Sequence, residues 1–218
     1  MHKQLLIFSL LVCSNLFADT AQIEAGRKIA ADGNEQGAPA CMTCHMQNGE
    51  GMQEEGFPHL AGMSESYIVK QLKDFQGKNR VTDVMTSLVQ ELKDEDMKSV
   101  AAYYASLPVI SKPEKSTSQV KFEQGRLIAE RGLWNKNVPA CFSCHGPNAV
   151  GVGESFPPLI NQGKIYLTKE LQAWKTGTRK NDPGMLMKTI ALKLTPKEIE
   201  AVVEYISSLS STQTAGVK

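Results

Sequence analysis

The sequence predicts an all-α protein built from two small domains in tandem. Two segments of about 90 residues repeat each other along the chain. Apolar residues in both segments recur at the helical spacing, and neither segment contains the alternating runs of β-branched residues that a sheet requires. A length of 218 residues suits two such domains better than one.

The internal repeat consists of three matched pairs of segments. They are "AGRKIAADGNEQGAPACMTCH" with "QGRLIAERGLWNKNVPACFSCH", "FPHLAGMSESYIVKQLKDF" with "FPPLINQGKIYLTKELQAW", and "LKDEDMKSVAAYYASL" with "LTPKEIEAVVEYISSL". We therefore expect domains at 19–108 and 121–212, followed by a short tail at 213–218. The linker at 109–120 is rich in Pro, Ser and Lys, which indicates an exposed segment.

The first 18 residues have the features of a secretory signal peptide. Lys3 gives a basic start, an apolar run extends from Leu5 to Val12, and Ala18 is a small residue at which a peptidase can cut. The run is shorter than the roughly 20 apolar residues that span a bilayer. Cys13 follows Val12 rather than a small residue, so we expect no lipid anchor. These features predict an exported, soluble protein of the periplasm.

The last helix of each domain has the clearest sequence signals, an apolar stripe and residues that favour a helix N-terminus. Apolar residues form one stripe in each copy, at Met97, Val100, Ala101, Tyr104 and Leu107 and at Ile199, Val202, Val203, Ile206 and Leu209. Thr195 and Glu198 form a capping box before the second stripe, with Pro196 in the first turn. Lys93 stands at the corresponding position before the first stripe, and three acidic residues follow it and favour a helix N-terminus. Earlier helices are expected near 20–32, 64–76, 120–132 and 165–175, with irregular chain around each cysteine motif.

The composition excludes several classes of protein. Charged residues make up 22% of the chain and apolar residues 41%, and the net charge of +1 does not suggest a nucleic-acid binder. This small value conceals an asymmetry, because residues 19–108 carry 8 basic and 14 acidic side chains while residues 121–212 carry 12 and 8. The domains therefore have net charges of −6 and +4. We expect them to dock on partners of opposite charge.

Each domain contains the pentapeptide Cys-x-x-Cys-His, as "CMTCH" at 41–45 and "CFSCH" at 141–145. A redox dithiol, a zinc site and covalently bound haem all use cysteines at this spacing. The dithiol normally accompanies a βαβ unit, which the pattern lacks. Zinc would need additional Cys or His ligands, and outside the motifs the mature chain offers only His59.

Haem accounts for every residue of the motif. The two thiols bond to the two vinyl groups of the porphyrin, and the following histidine ligates the iron. The repeat therefore predicts two covalently bound haem c groups. Their attachment sites and histidine ligands are Cys41, Cys44 and His45 in the first domain and Cys141, Cys144 and His145 in the second.

The chain resembles the dihaem cytochromes c4 over nearly all of its mature length. The resemblance is carried by "PACMTCH", "FPHLAG", "YIVKQLKDFQGKNR" and "VAAYYASL" in the first half and by "PACFSCH", "FPPL", "RKNDPGM" and "VVEYISSL" in the second. It implies two class I cytochrome c domains related by an approximate twofold axis, with the haem propionate edges at the interface. In such domains a glycine of the first helix contacts an aromatic residue of the last, which points to the pairs Gly26–Tyr103 and Gly125–Tyr205.

The resemblance also implies a methionine as the second axial ligand of each iron. Met85 lies 18 residues before Tyr103 and Met187 lies 18 residues before Tyr205, so these two are selected. Met185 stays open as an alternative, because the second copy has two extra residues just upstream.

Other residues near the motifs have roles that the resemblance suggests. The carbonyl groups of Pro58 and Pro157 would accept the ring N–H of the two ligating histidines. Arg80 and Arg179 stand at matching positions and either neutralise a haem propionate or lie in solvent. His59 could serve as an iron ligand, but its counterpart is Pro158, so an exposed loop histidine is expected.

These features predict an electron carrier. Iron with His and Met ligands has no open position for a small substrate, and the chain contains no nucleophile constellation, phosphate loop or flavin motif, so no catalytic residue is expected. We predict that it takes one electron per haem from a quinol-oxidising complex or a dehydrogenase and passes it to a terminal oxidase, meeting the membrane only through these partners. The alternatives are an electron-accepting subunit of a periplasmic dehydrogenase, for example a sulfide-oxidising one, and a dihaem enzyme with one reactive haem.

Overall fold

A computed structural model describes residues 19–210 of the chain. The predicted signal peptide at 1–18, with Cys13, and the tail at 213–218 lie outside the described residues. Between residues 19 and 210 the chain is helical, with isolated β-bridges and no longer strand, which confirms the all-α class. No helix in this part of the chain is long and apolar enough to cross a membrane.

The two domains repeat the same order of helices. The described part of the first domain contains α1 at 19–32, α2 at Met42–His45, α3 at Glu65–Gln76, α4 at Met85–Leu88 and α5 at Asp94–Ser106. The second contains α6 at Gln119–Arg131, α7 at Phe142–His145, α8 at Lys164–Thr176, α9 at Leu186–Lys193 and α10 at Pro196–Ser207, with 3₁₀ turns at Trp134–Lys136, Pro147–Ala149 and Pro183–Met185. The long helices lie within one residue of their expected bounds. The chain around each cysteine motif is largely irregular, as expected, but the motif itself forms a short helix, α2 or α7, and the short helices α4 and α9 were not expected.

The last helices begin at the residues that the capping signals indicate. The Thr195 N–H donates to Glu198 Oε2 over 2.7 Å, and the Glu198 N–H donates to Thr195 Oγ1 over 3.3 Å. At α5 the Lys93 N–H donates to Asp96 Oδ2 over 3.0 Å. Both caps satisfy backbone donors that a helix N-terminus leaves without partners.

In each domain the first and last helices cross at a glycine. A Cβ atom at Gly26 would lie 1.8 Å from the Ser99 carbonyl oxygen, and a Cβ at Gly125 would lie 1.9 Å from the Ala201 carbonyl oxygen. The expected aromatic partners, Tyr103 and Tyr205, are in contact at the same points. Only a residue without Cβ permits this close approach of two backbones.

Each domain has its own hydrophobic core. The first includes Met97 and Tyr104 of α5, which are fully buried where this helix packs on α3. The second includes Val138 and Ile206 between α6, α8 and α10. Since Cys41 packs against the first core and Cys141 against the second, each cysteine motif lies at the edge of its own domain core.

The linker is anchored to both domains. It ends at Ser118, because α6 begins one residue later. The Ser111 hydroxyl donates to Asn161 Oδ1 over 2.8 Å, and Gln53 Nε2 donates to the Lys112 carbonyl over 3.0 Å. These bonds connect the linker to a loop of each domain and restrict the relative movement of the two domains.

The main anchor of the linker is Glu204 of α10. Its Oε1 accepts hydrogen bonds from the Ser116 hydroxyl at 2.8 Å and from the Thr117 N–H, and its Oε2 lies 2.9 Å from Lys164 Nζ. Burial alone would raise the pKa of Glu204, but these donors outweigh it and lower the pKa to about 2. Because the folded pKa is depressed, the stabilisation is present above pH 4.5, the ordinary value for the side chain, and is lost as the pH falls towards 2.

Glu204→Gln is therefore expected to destabilise the second domain most strongly at neutral pH. We expect the free energy of unfolding to fall by about 1.5–3 kcal/mol, the range for hydrogen bonds to a charged group. Urea unfolding between pH 7 and pH 2.5 measures this effect, and the difference from wild type should shrink as the pH falls. Glu200→Gln is the control, because Glu200 lies on α10 like Glu204 but forms only an exposed ion pair with Lys121 of α6. Equal losses in the two variants, or a constant difference across the pH range, would contradict the assignment.

Candidate haem sites

Each Cys-x-x-Cys-His motif folds into a single helical turn. The His45 N–H donates to the Cys41 carbonyl oxygen over 3.0 Å, and the His145 N–H donates to the Cys141 carbonyl oxygen over 2.9 Å. Residues four apart on a helix lie on the same face. The first cysteine and the histidine of each motif therefore project from one side of the turn.

One ring nitrogen of each histidine is held by a backbone carbonyl. His45 Nδ1 lies 3.1 Å from the Pro58 carbonyl oxygen, and His145 Nδ1 lies 2.8 Å from the Pro157 carbonyl oxygen. Because a carbonyl can only accept, Nδ1 carries the proton and Nε2 keeps its lone pair. This is the tautomer that can ligate a metal through Nε2.

Burial keeps both imidazoles neutral. His45 is 6% exposed and His145 is 7% exposed. Burial lowers the pKa of each ring, and the bonds to the proline carbonyls oppose the effect only in part. At His145 the nearby Arg179 guanidinium also lowers the pKa. Each ring is thus in the protonation state that iron ligation requires at neutral pH.

The first cysteine of each motif is a weak acid. Burial raises the pKa of Cys41 and of Cys141 to about 11. Redox dithiols depend on a cysteine whose pKa is lowered. The surroundings of the two motifs therefore disfavour a thioredoxin-like role.

Met85 and Met187 occupy equivalent places before the last helix of their domains. Met85 is the first residue of α4, and its N–H donates to Thr82 Oγ1 over 3.0 Å. Its side chain packs against the first core. Met187 is the second residue of α9 and is partly buried.

Met185 has different surroundings. It is 60% exposed and lies at the end of a 3₁₀ turn with a φ of 56°, in the left-handed region. A ligating sulfur must lie inside a haem pocket, out of bulk solvent. Burial therefore favours Met187 over Met185 as the candidate ligand.

His59 is buried, so the expectation of an exposed loop histidine is wrong. It is 5% exposed, and its Nε2 lies 3.1 Å from the Ala61 carbonyl oxygen. The backbone N–H of His59 donates to Gln162 Oε1 over 3.0 Å, and Gln162 Nε2 donates to the backbone carbonyl of His59 over 2.8 Å. Gln162 belongs to the second domain, so the contact between domains is what removes His59 from solvent.

Arg80 and Arg179 meet at the boundary between the two domains. They are paired in an antiparallel β-bridge, and the adjacent Val81 N–H donates to the Thr178 carbonyl over 2.7 Å. Arg80 is 5% exposed and Arg179 is 8% exposed. The interpretation of these residues as solvated surface arginines is therefore wrong.

The residues present fit haem as the bound group. Each domain offers two thiols and a neutral imidazole on one helical turn. Between residues 19 and 210, Arg80 Nε, the Tyr104 hydroxyl and Asp182 Oδ1 are buried polar atoms without a hydrogen-bond partner. Buried polar groups are nearly always hydrogen bonded. The carboxylates of haem are acceptors, so they could satisfy the free Arg80 N–H.

Two helical domains, each with its cysteine pair and a neutral histidine on one turn, define a c-type cytochrome with two haem sites. The family model for cytochrome c matches residues 23–108 and 131–210. A cytochrome c4 of Pseudomonas aeruginosa is 36% identical over 174 residues, which cover 79% of this chain and 85% of the relative. The chain belongs to the cytochrome c4 family. It carries two covalently bound haem c groups, one on Cys41 and Cys44 and one on Cys141 and Cys144.

Two further proteins are similar over most of the chain. A thiosulfate dehydrogenase electron acceptor of Stutzerimonas stutzeri is 40% identical over 204 residues, which cover 93% of this chain and 94% of the relative. The solved thiosulfate dehydrogenase (TsdBA) of Marichromatium purpuratum, in its as-isolated form, superimposes with a TM-score of 0.82 and 36% identity. That match covers 90% of this chain and 42% of the solved chain. The protein is thus a dihaem electron carrier whose relatives include acceptors of dehydrogenase electrons.

Proposed function

We propose that this cytochrome accepts electrons from a thiosulfate-oxidising dehydrogenase and passes them to a further redox protein. The observation that carries the proposal is the similarity to the Stutzerimonas stutzeri acceptor, which extends over 93% of this chain. The match to the thiosulfate dehydrogenase structure likewise extends over both haem domains. These relatives favour the predicted role of dehydrogenase electron acceptor over the route from a quinol-oxidising complex, and thiosulfate replaces sulfide as the proposed substrate of the donor.

We infer that His45 and Met85 bind the first iron and that His145 and Met187 bind the second. Neutral imidazoles and the equivalent positions of the methionines support these assignments. When bound, each haem supplies the one-electron redox chemistry of its iron. With these four side chains as ligands, neither iron would keep a position open to a small molecule.

We further propose that Arg80 donates its free Nε–H to a haem propionate. Arg179 is less suited, because its Nε already donates to Asn181 Oδ1 over 3.1 Å. The net charges of −6 and +4 on the two domains support separate docking faces for donor and acceptor. A terminal oxidase is the proposed acceptor, and the proposed location is the periplasm, reached through the signal peptide at 1–18.

The donor is tested by reduction of the purified dihaem protein. We expect rapid reduction of both haems when thiosulfate and a purified thiosulfate dehydrogenase are both added, and no reduction with either alone. Visible haem absorbance follows the reaction, and a single-haem cytochrome c at equal haem concentration serves as the control. Reduction by a quinol-oxidising complex but not by the dehydrogenase would contradict the proposed donor and favour the free-carrier alternative.

A further inference from the structure

Equivalent positions of the two domains differ at the centre of their interface. Alignment of the copies pairs Gln71 of α3 with Glu170 of α8, four residues after the matched tyrosines Tyr67 and Tyr166. Glutamine and glutamate have nearly the same shape but differ in charge. The second domain thus contributes a carboxylate where the first contributes a neutral amide.

Glu170 binds an arginine from each domain. Its Oε1 accepts from Arg80 Nη2 over 2.6 Å, and its Oε2 accepts from Arg179 Nη1 over 2.5 Å. The side chains of all three residues are at most 15% exposed. Charges in such surroundings are weakly screened by salt and water.

Gln71 contacts the same two arginines from the opposite domain. Its Oε1 accepts from Arg80 Nη1 over 3.0 Å, from Arg179 Nη2 over 3.3 Å and from Asn181 Nδ2 over 3.0 Å. A carboxylate at either position would therefore meet the same guanidinium groups. The interface can accept the negative charge from the first domain or from the second.

The arginines and Glu170 together carry two positive charges and one negative charge. Burial alone would raise the pKa of Glu170, but the guanidinium groups of Arg80 and Arg179 outweigh it and hold the pKa below its ordinary value. The hydroxyl of Tyr166 accepts from Arg80 over 3.0 Å, and burial raises the pKa of this phenol to about 12. Glu170 is thus ionised at neutral pH while its tyrosine neighbour is not.

This charge cluster lies between the two domain cores against which the haem-binding motifs pack. Tyr67, which accepts from Arg179 over 3.2 Å, packs against the first core together with Cys41 and Met85. In the second domain Leu171, the residue that follows Glu170 on α8, packs against the core together with Cys141. A negative charge in this place favours the ferric over the ferrous state of a nearby iron, because oxidation adds one positive charge.

We propose that Glu170 sets the reduction potentials of the two haems, and that its place in the second domain contributes to the difference between them. The inference rests on the proposed dihaem carrier role and is independent of which dehydrogenase is the donor. A charge at the boundary of two haem sites acts on both irons. It acts on them unequally when only one domain supplies it.

Redox titration of charge-exchanged variants tests the proposal. Glu170→Gln is expected to raise both potentials, with roughly a tenfold change in the reduction equilibrium of the more affected haem, which is about 59 mV for one electron. Gln71→Glu is expected to lower both. The double variant Gln71→Glu/Glu170→Gln keeps the composition and moves the carboxylate between domains. It should return the mean potential to the wild-type value and change the gap between the two potentials.

The double variant is the decisive test of whether the position of the carboxylate affects the gap between the potentials, because it retains a carboxylate for the buried arginines. Glu170→Gln alone removes the carboxylate that both buried arginines share and can loosen the domain contact, so haem content and thermal unfolding are checked for every variant. Glu200→Gln removes the same charge from the exposed surface of the second domain. The proposal is overturned if the double variant keeps the wild-type gap, or if Glu170→Gln shifts the potentials no more than Glu200→Gln. Titration with chemical mediators needs no dehydrogenase, so failure of the thiosulfate assay would leave this result intact.

Discussion

Gly125→Ala is expected to remove most of the stability of the second domain. The added Cβ would lie 1.9 Å from the Ala201 carbonyl oxygen and 2.9 Å from Tyr205 Cβ. A backbone carbonyl inside a helix cannot rotate away as a flexible side chain can, so α6 and α10 would have to separate. We expect the free energy of unfolding to fall by about 3 kcal/mol or more, the upper end of overpacking effects. Urea unfolding of the haem protein, followed by visible absorbance, measures the loss.

Gly77→Ala is the matched control for this change. A Cβ at Gly77 would have the Lys73 carbonyl oxygen 3.3 Å away as its nearest neighbour, and the φ of −77° suits alanine. We expect this variant to stay within about 1 kcal/mol of wild type. Gly26→Ala repeats the test in the first domain, where Ser99 provides the clash. If Gly125→Ala were as stable as Gly77→Ala, the prediction would be wrong, because α6 and α10 would then accommodate the added Cβ without loss of stability.

The long helices could be predicted, because in each of them the helical spacing of apolar residues is visible within one continuous stretch of sequence. α3, α6 and α8 begin and end within one residue of the expected positions, and Thr195 marks the start of α10 through its capping box. Burial of one stripe and satisfaction of terminal N–H groups are local requirements. The single turns α2 and α7 were missed, because four residues are too few to show a helical period.

The haem attachment residues could be predicted from spacing alone. The two thiols that bond to one porphyrin and the histidine that ligates its iron must lie on one short segment. The sequence contains such a segment twice, as the two Cys-x-x-Cys-His motifs. The tautomer of His45 and His145 is a different matter. It depends on carbonyl groups 12 and 13 residues further along the chain, which only the folded loop brings to the ring.

The interface between the domains could not be predicted from either copy by itself. His59 is buried by Gln162, which lies 103 residues away, and Arg80 reaches Glu170 over 90 residues. Periodicity and capping signals report on neighbours in sequence, and these contacts join residues from different cores. The pairing of Gln71 with Glu170 in the internal alignment is the sequence signal that points to an unequal interface.

Replacing Met187 by alanine should give the largest functional change in the second domain. Under the proposed ligation, the variant loses the sulfur ligand of that iron and with it the weak near-infrared band of methionine-to-iron charge transfer. The potential of the same haem should fall, because methionine ligation raises it relative to most alternatives. We expect at least a tenfold change in the reduction equilibrium, about 59 mV for one electron. Near-infrared absorption of the oxidised protein and a redox titration measure the two effects.

Met185→Ala tests whether Met187 or the nearby Met185 is the sulfur ligand. Because Met185 is 60% exposed, its removal should leave both the near-infrared band and the potentials unchanged. Met85→Ala should reproduce the effect of Met187→Ala on the other haem, and the double variant of Met85 and Met187 should abolish the band. If Met185→Ala removed the band and Met187→Ala left it intact, the ligand would lie two residues earlier. The left-handed turn at Met185 would then have to swing into the pocket when the iron is bound.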